Sequence, residues 1–352
     1  MQASEPIEET DSSSDNVSVN DTTQEAQAAA EAAKAIIAEK TTAILEVCSR
    51  RDIASLQELA QSAGGLLSDK LRQLAWPILL GVSTDGDSNA DDGSWKELPR
   101  HRDEDQVQLD VNRAFIYYPH DLTDTELATR KTELSNLISE VLRRYPFLCY
   151  FQGFHDICQV LLLALAPKLR ASAVARLSVL RIRDFMLPNL GPTTAQLRLL
   201  PDILCKADAE LWKHVVSIEP FYALAGTLTM YAHNIEAYNE IARLFDILLA
   251  QEPVFSIYMF AQIVVDRREE IFEIDEPDLL QVVLSRVPPK MNLDGLISRS
   301  TELFEKYPPE TLRSWRQISS SSALKTAHDV KQAAQQTMAE GEEHFVKQSK
   351  EL

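Results

Sequence analysis

Apolar residues along this chain recur at helical spacing and do not alternate. Leu134, Leu137, Ile138, Val141 and Leu142 fall at i, i+3, i+4, i+7 and i+8, which puts all five on one face of a helix. Thr123 and Glu126 precede this run in the S/T-x-x-E pattern of a capping box, so the helix is predicted to begin there. Ile241, Leu244, Phe245, Leu248 and Leu249 repeat the spacing, and the segments 197–211 and 257–272 are apolar along one side. Strand-like alternation joined by Asn-Gly or Asp-Gly hairpins is not visible. Asp85-Gly86 and Asp92-Gly93 lie in the acidic, turn-rich stretch 83–94, which reads as an exposed, mobile loop. Further breaks fall at 188–201 and at Pro288-Pro289, and the serines 319–322 read as a cap or hinge. The pattern predicts an all-α, multi-helix domain with helical N- and C-terminal extensions.

Composition sharpens the boundaries. Residues 1–25 are acidic and Ser-rich with little apolar content, and are expected to be disordered. From 26 to 61 strong helix formers dominate, with Ile36/Ile37 and Ile44/Leu45 at helical spacing, which predicts an N-terminal helical extension. The domain proper is placed at 62–290. Residues 291–352 form a C-terminal extension, rich in Lys, Glu and Gln beyond 323. There Val330, Met338 and Phe345 suggest a helix packing loosely on the domain or leading towards an anchor outside this chain. Ten glycines in 352 residues agree with helical structure. The net charge of −18 counts against general phosphate attraction, so no nucleic-acid partner is expected. The apolar stretches 160–166 and 255–265 fall short of the ~18 residues of a membrane span. The first residues lack the basic start of a secretory signal. Cys48, Cys149, Cys158 and Cys205 match no zinc or redox spacing, as suits a reducing compartment and a cytoplasmic protein.

Self-contained chemistry has no signature here. Phosphate-cradling glycine loops, metalloprotease and nucleophile-elbow motifs and EF-hand loops are all missing from the sequence, and no metal site is expected. His155 beside Asp156 sits in an apolar segment without a nucleophile pattern and reads as structural. Three groups stand out. Gly64-Gly65-Leu66-Leu67 leads into Leu71-Arg72 and Trp76-Pro77-Ile78-Leu79-Leu80-Gly81, which alone reads as core packing. Asp110 and Arg113 are three apart, so the carboxylate can brace the guanidinium from its own helical face. Tyr150-Phe151-Gln152-Gly153 follows Tyr145-Pro146 as a loop-to-helix junction with close backbone approach at Gly153. There a neutral amide with donors and an acceptor can orient a water.

In order and combination, WPxLLG, then [I/V]xxDxxR, then YxQG resemble the TBC domain of Rab GTPase-activating proteins over about residues 60–290. Stretches such as YFQGFHDICQVLLL are most similar to an endoplasmic-reticulum-associated subgroup of that family. The resemblance implies that Arg113 is an arginine finger and Gln152 a glutamine finger, with Asp110, Tyr150 and Gly153 in support. It implies an activator that supplies residues in trans to a GTP-bound Rab in ER-to-Golgi traffic. GTP and Mg²⁺ belong to the Rab, so the chain needs no cofactor of its own. The membrane, at the cytosolic face of ER or Golgi, is reached through the partner or a C-terminal anchor outside this chain. A TBC-shaped adaptor without catalysis is the alternative. Val107 stands where the family usually has Ile, a change conservative in volume and shape, and Met230-Tyr231 where Trp-Phe is usual, a change expected to touch packing more than catalysis.

Overall fold

The computed structural model describes residues 15–83 and 93–352. Among them every regular element is a helix, which bears out the all-α reading. The chain divides into two compact units, one through Ala43 and one from Ile44 onward. Helix α1 (Asp15–Arg50) supplies the described part of the first. It starts inside the stretch expected to be disordered, because the Ala-rich segment behind it carries a helix that extends at little cost once nucleated. Residues 1–14 and nearly all of the acidic loop expected at 83–94 lie outside the described residues. Ile36 and Ile37 are exposed, whereas Ile44 and Val47 are buried in the second unit.

That second unit begins with α2 (Ile53–Gln61) and α3 (Asp69–Leu79), both packed on the helix Tyr238–Ala250. The contact is centred on a buried carboxylate. Asp246, fully buried, accepts from Arg72 Nε (3.0 Å), Arg72 Nη2 (3.1 Å), Trp76 Nε1 (2.9 Å) and the Leu66 backbone N–H (3.0 Å). Gly65 is required here: its φ is +55°, and a Cβ would lie 2.6 Å from Asp246 Oδ2. The first motif group is therefore structural, as read from the sequence.

Next come α4 (Glu104–Val111), α5 (Asp124–Arg144), α6 (Phe154–Ala164) and α7 (Pro167–Arg176). The five apolar positions predicted for α5 are all buried, and the capping box forms, with Thr123 N donating to Glu126 Oε2 at 2.9 Å. Arg143 of α5 grips Glu104 at the start of α4 through two hydrogen bonds of 2.6 and 2.8 Å. That guanidinium holds the Glu104 carboxyl below its ordinary range. α4, α5 and α6 pack on one another, which fixes the loops at their ends.

The apolar run 197–211 is broken at Asp208, whose carboxylate caps a new helix Ala209–Val215. The run 257–272 breaks at Arg267, between Phe255–Asp266 and Arg268–Phe272. The C-terminal segment does not pack loosely. Ser322 caps the short helix Ala323–Thr326 and donates to buried Asp184, which also accepts from Gln196 Nε2 (2.7 Å) and Ala323 N–H (2.9 Å). Arg176 Nη2 donates to the Ala334 and Gln336 carbonyls, both at 2.9 Å. Gly81 lies so close beneath that a Cβ would fall 1.9 Å from the Ala334 oxygen. Val330 and Phe345 are buried, and the Phe345 ring sits 4.9 Å from Phe147. Sparse apolar points suffice because buried polar anchors carry the rest of the contact.

Candidate functional site

The site grows from the C-terminal end of α4. The helix ends at Val111, and Arg113 N–H closes a last turn onto the Asp110 carbonyl at 3.0 Å. Asp110 is fully buried, yet Arg113 three residues on has 59% of its side chain exposed. Arg113 Nη2 donates to Asp110 Oδ1 at 2.5 Å, so the base of the guanidinium is held while its outer face stays open. Asp110 is itself fixed by two further donors, Gln106 Nε2 to Oδ1 (3.1 Å) and the Tyr150 hydroxyl to Oδ2 (2.8 Å).

Tyr150 ties this group to the second loop. Its backbone N–H donates to Asp103 Oδ2 at 2.9 Å, and its hydroxyl lies 3.3 Å from His155 Nδ1. Burial, then the hydrogen bond to Asp110, pushes the Tyr150 phenol well above its ordinary range, so it stays a neutral donor. Two residues on, Gln152 is exposed, and Gly153 turns the chain into α6 with φ +104°. A Cβ at 153 would meet Thr229 Cγ2 at 2.6 Å, so the close approach read from the sequence is with Thr229.

Arg113 and Gln152 both line one cleft of about 380 Å³. Gly153, His155 and Asp156 lie on its α6 side, Phe115 to Tyr118 along the loop after Arg113, and Thr229 and His233 opposite. All five site residues named from sequence are brought together, three of them on the wall and two, Asp110 and Tyr150, behind it. His155, read as structural, sits between Tyr150 and Asp156; burial pushes its imidazole pKa down, which keeps it neutral. His233 Nδ1 lies 3.1 Å from Asp156 Oδ2, and that hydrogen bond raises its pKa. Among the described residues no group of three or more His, Cys, Asp or Glu could hold a metal ion. The cleft offers one open guanidinium, one open carboxamide and a floor braced by a buried carboxylate. Such a surface has the charged and neutral donors that bind an anion through charge-assisted hydrogen bonds.

A family model for the Rab-GTPase-TBC domain matches residues 69–272, a span that contains α3 and both site loops. The chain belongs to that family. It is 34% identical to TBC1 domain family member 20 of Bos taurus over 265 residues, 74% of this chain and 65% of the relative. To its Mus musculus counterpart it is 36% identical over 266 residues, with the same coverage. It is 32% identical to the GTPase-activating protein gyp10 of Schizosaccharomyces pombe, over 79% of this chain and 76% of that one. The chain thus spans just under two thirds of the length of the member 20 relatives. Two solved structures share the fold at 14% identity. The Chlamydomonas flagellar RabGAP TBC domain has a TM-score of 0.57 and covers 70% of this chain and 83% of that one. The Ypt/Rab-GAP domain of Gyp1p has a TM-score of 0.59 and covers 75% and 99%. The TBC match ends at 272, but the compact unit runs to Leu352, so the flanking helices are part of the domain's packing. Val107 is buried, as its place in the TBC pattern leads one to expect. So are Met230 and Tyr231, whose φ values of +50° and +65° shape the turn before His233.

Sequence reasoning missed Gln159, Gln106 and Thr229 as parts of this site. Gln106 had a visible signal, its i, i+4 spacing to Asp110, whereas Thr229 meets Gly153 from a distant stretch of the chain. Gln159 had one visible signal, a lone amide in the apolar run that begins at Ile157.

Proposed function

We propose that this protein accelerates GTP hydrolysis by a Rab-family GTPase, with Arg113 as arginine finger and Gln152 as glutamine finger. The observation that carries this reading is the half-tethered Arg113, paired to a fully buried carboxylate yet open on a cleft that Gln152 also lines. In the reaction a water attacks the γ-phosphorus in line, the bond to the bridging oxygen breaks, and charge spreads over the phosphoryl and leaving oxygens. The Arg113 guanidinium is planar and permanently charged, and it supplies donors to those oxygens. Because Asp110 already restrains it, less freedom is lost when it enters the pocket. The Gln152 carbonyl accepts from the attacking water, and its NH₂ is free to donate to a neighbouring oxygen without competing for the proton. GTP and Mg²⁺ arrive with the Rab, and the protein adds no cofactor. Similarity to the endoplasmic-reticulum-associated subgroup supports a Rab of ER-to-Golgi traffic and a cytoplasmic site of action at those membranes, reached through the partner. No helix among the described residues is long and apolar enough to cross a membrane.

Phosphate release from a panel of GTP-loaded Rabs tests the proposal. At least one Rab should be accelerated, and Arg113→Ala should lower that acceleration by about 10³-fold or more, in line with finger arginines elsewhere. Tight binding of a Rab with no acceleration would instead identify an adaptor that keeps the TBC shape.

A further inference from the structure

We propose that Gln159 is a positioning residue that registers the Arg113 loop against the Gln152 loop. The proposal rests on the reading of Arg113 as the group delivered to a Rab nucleotide. From Ile157 onward α6 is apolar around Gln159: Ile157, Cys158, Val160, Leu161 and Leu162 are all fully buried. Gln159 is 4% exposed among them. A carboxamide in such surroundings is costly unless its donors and acceptor are matched. Both matches lie on the segment that follows Arg113. Gln159 Oε1 accepts from the Phe115 backbone N–H at 2.9 Å, and Nε2 donates to the Tyr118 carbonyl at 3.1 Å.

One side chain therefore closes both ends of a four-residue loop. Phe115 adopts φ +63°, a left-handed conformation that a phenylalanine holds only when its surroundings enforce it. The bond from Gln159 is what occupies its N–H, and Phe115 is itself buried. Between the two clamped residues, Ile116 (73% exposed) and Tyr117 (39% exposed) project outward at the rim of the cleft.

The register follows from α6. Its N-terminus is Gly153, next to Gln152, and Gln159 sits six residues along the same rod, about 9 Å at 1.5 Å per residue. Asp110 fixes the guanidinium of Arg113, whereas Gln159 fixes the backbone that carries the following loop. One helix thus sets the spacing between the two fingers, which a reaction sensitive to misplacement of about 1 Å requires.

Two measurements on the full chain test this. Gln159→Met keeps the side-chain volume and removes both hydrogen bonds. Hydrogen exchange at the Phe115 amide should become at least about tenfold faster, with circular dichroism and thermal midpoint close to wild type. In single-turnover GTP hydrolysis with an accelerated Rab, the saturating rate should fall about tenfold while the half-saturating concentration changes less than about threefold. The same substitution in the Arg113→Ala background should cost almost nothing further, because its effect passes through Arg113. If Gln159→Met does not fold, exchange in the wild-type chain decides the clamp: the Phe115 amide should exchange at least about tenfold more slowly than that of exposed Ile116, and equal rates overturn it. Unchanged exchange at Phe115 overturns the clamp, and an equal slowing with and without Arg113 overturns its role. If the wild type accelerates no Rab, the activity reading falls, and the exchange measurement alone still decides the clamp.

Discussion

Asp110 is where three donors from two stretches of sequence meet: Gln106 and Arg113 come from its own segment, Tyr150 from the loop before α6. A buried carboxylate without those donors would be costly, so the pair is as much a condition of folding as of function. At the mouth of the cleft the charge balance is set by His233 and Asp156, with buried His155 and exposed Arg113 nearby. The folded pKa of His233 lies above its ordinary value, foremost through the Asp156 hydrogen bond. The stabilisation is therefore full below the unfolded value of about 6.5 and is lost as pH rises through the raised one. Thermal unfolding of wild type and His233→Asn, compared between about pH 5.5 and 8.5, should show a wild-type advantage that shrinks with pH. An advantage constant across that range would contradict the assignment. At this scale the sequence was readable where residues stand in a patterned order: the Asp110–Arg113 spacing and the Tyr150–Gly153 junction carried the resemblance. Gln159 and His233 were not readable as site residues, since their partners lie 41 to 77 positions away in the chain.

Elements were legible in proportion to their amphipathic regularity. α5 appears with its predicted face and cap because five apolar positions and a capping box agree. The segments 197–211 and 257–272 are each two helices, since periodicity alone does not see a single polar capping residue such as Asp208 interrupt an apolar face. α3 shows a different limit. Its tryptophan and arginine, and Gly65 just before it, read in sequence as core packing, and their common partner becomes visible only once Asp246 arrives from 170 positions or more downstream. Asp246→Ala would take from Arg72, whose side chain is only 7% exposed, its two bonds to Asp246 and leave it the Asp69 pair at 3.0 Å, and would leave Trp76 Nε1 without an acceptor. We expect a loss of about 3–5 kcal/mol in urea or guanidinium unfolding. A change below about 1 kcal/mol would show that the hub is dispensable.

Over the whole molecule, the surprise is how much lies outside the matched family span. The segment from 323 was expected to pack loosely on the domain or to lead towards an anchor, yet Arg176, Asp184 and Gly81 hold its first part against the core. Its low apolar content hid this, because backbone carbonyls and buried polar side chains leave no hydrophobic pattern to read. α4, α5 and α6 pack on one another, and the loops at their ends bring Arg113 and Gln152 to one cleft. In the proposed function this chain brings both chemical groups, and nucleotide and metal come with the Rab. Single-turnover hydrolysis by a Rab whose own catalytic glutamine has been changed to leucine separates the two sources of the glutamine. The wild-type chain should still accelerate that Rab, and Gln152→Ala should abolish the effect. A Rab that responds with its glutamine and fails to respond without it would remove the glutamine-finger role from Gln152.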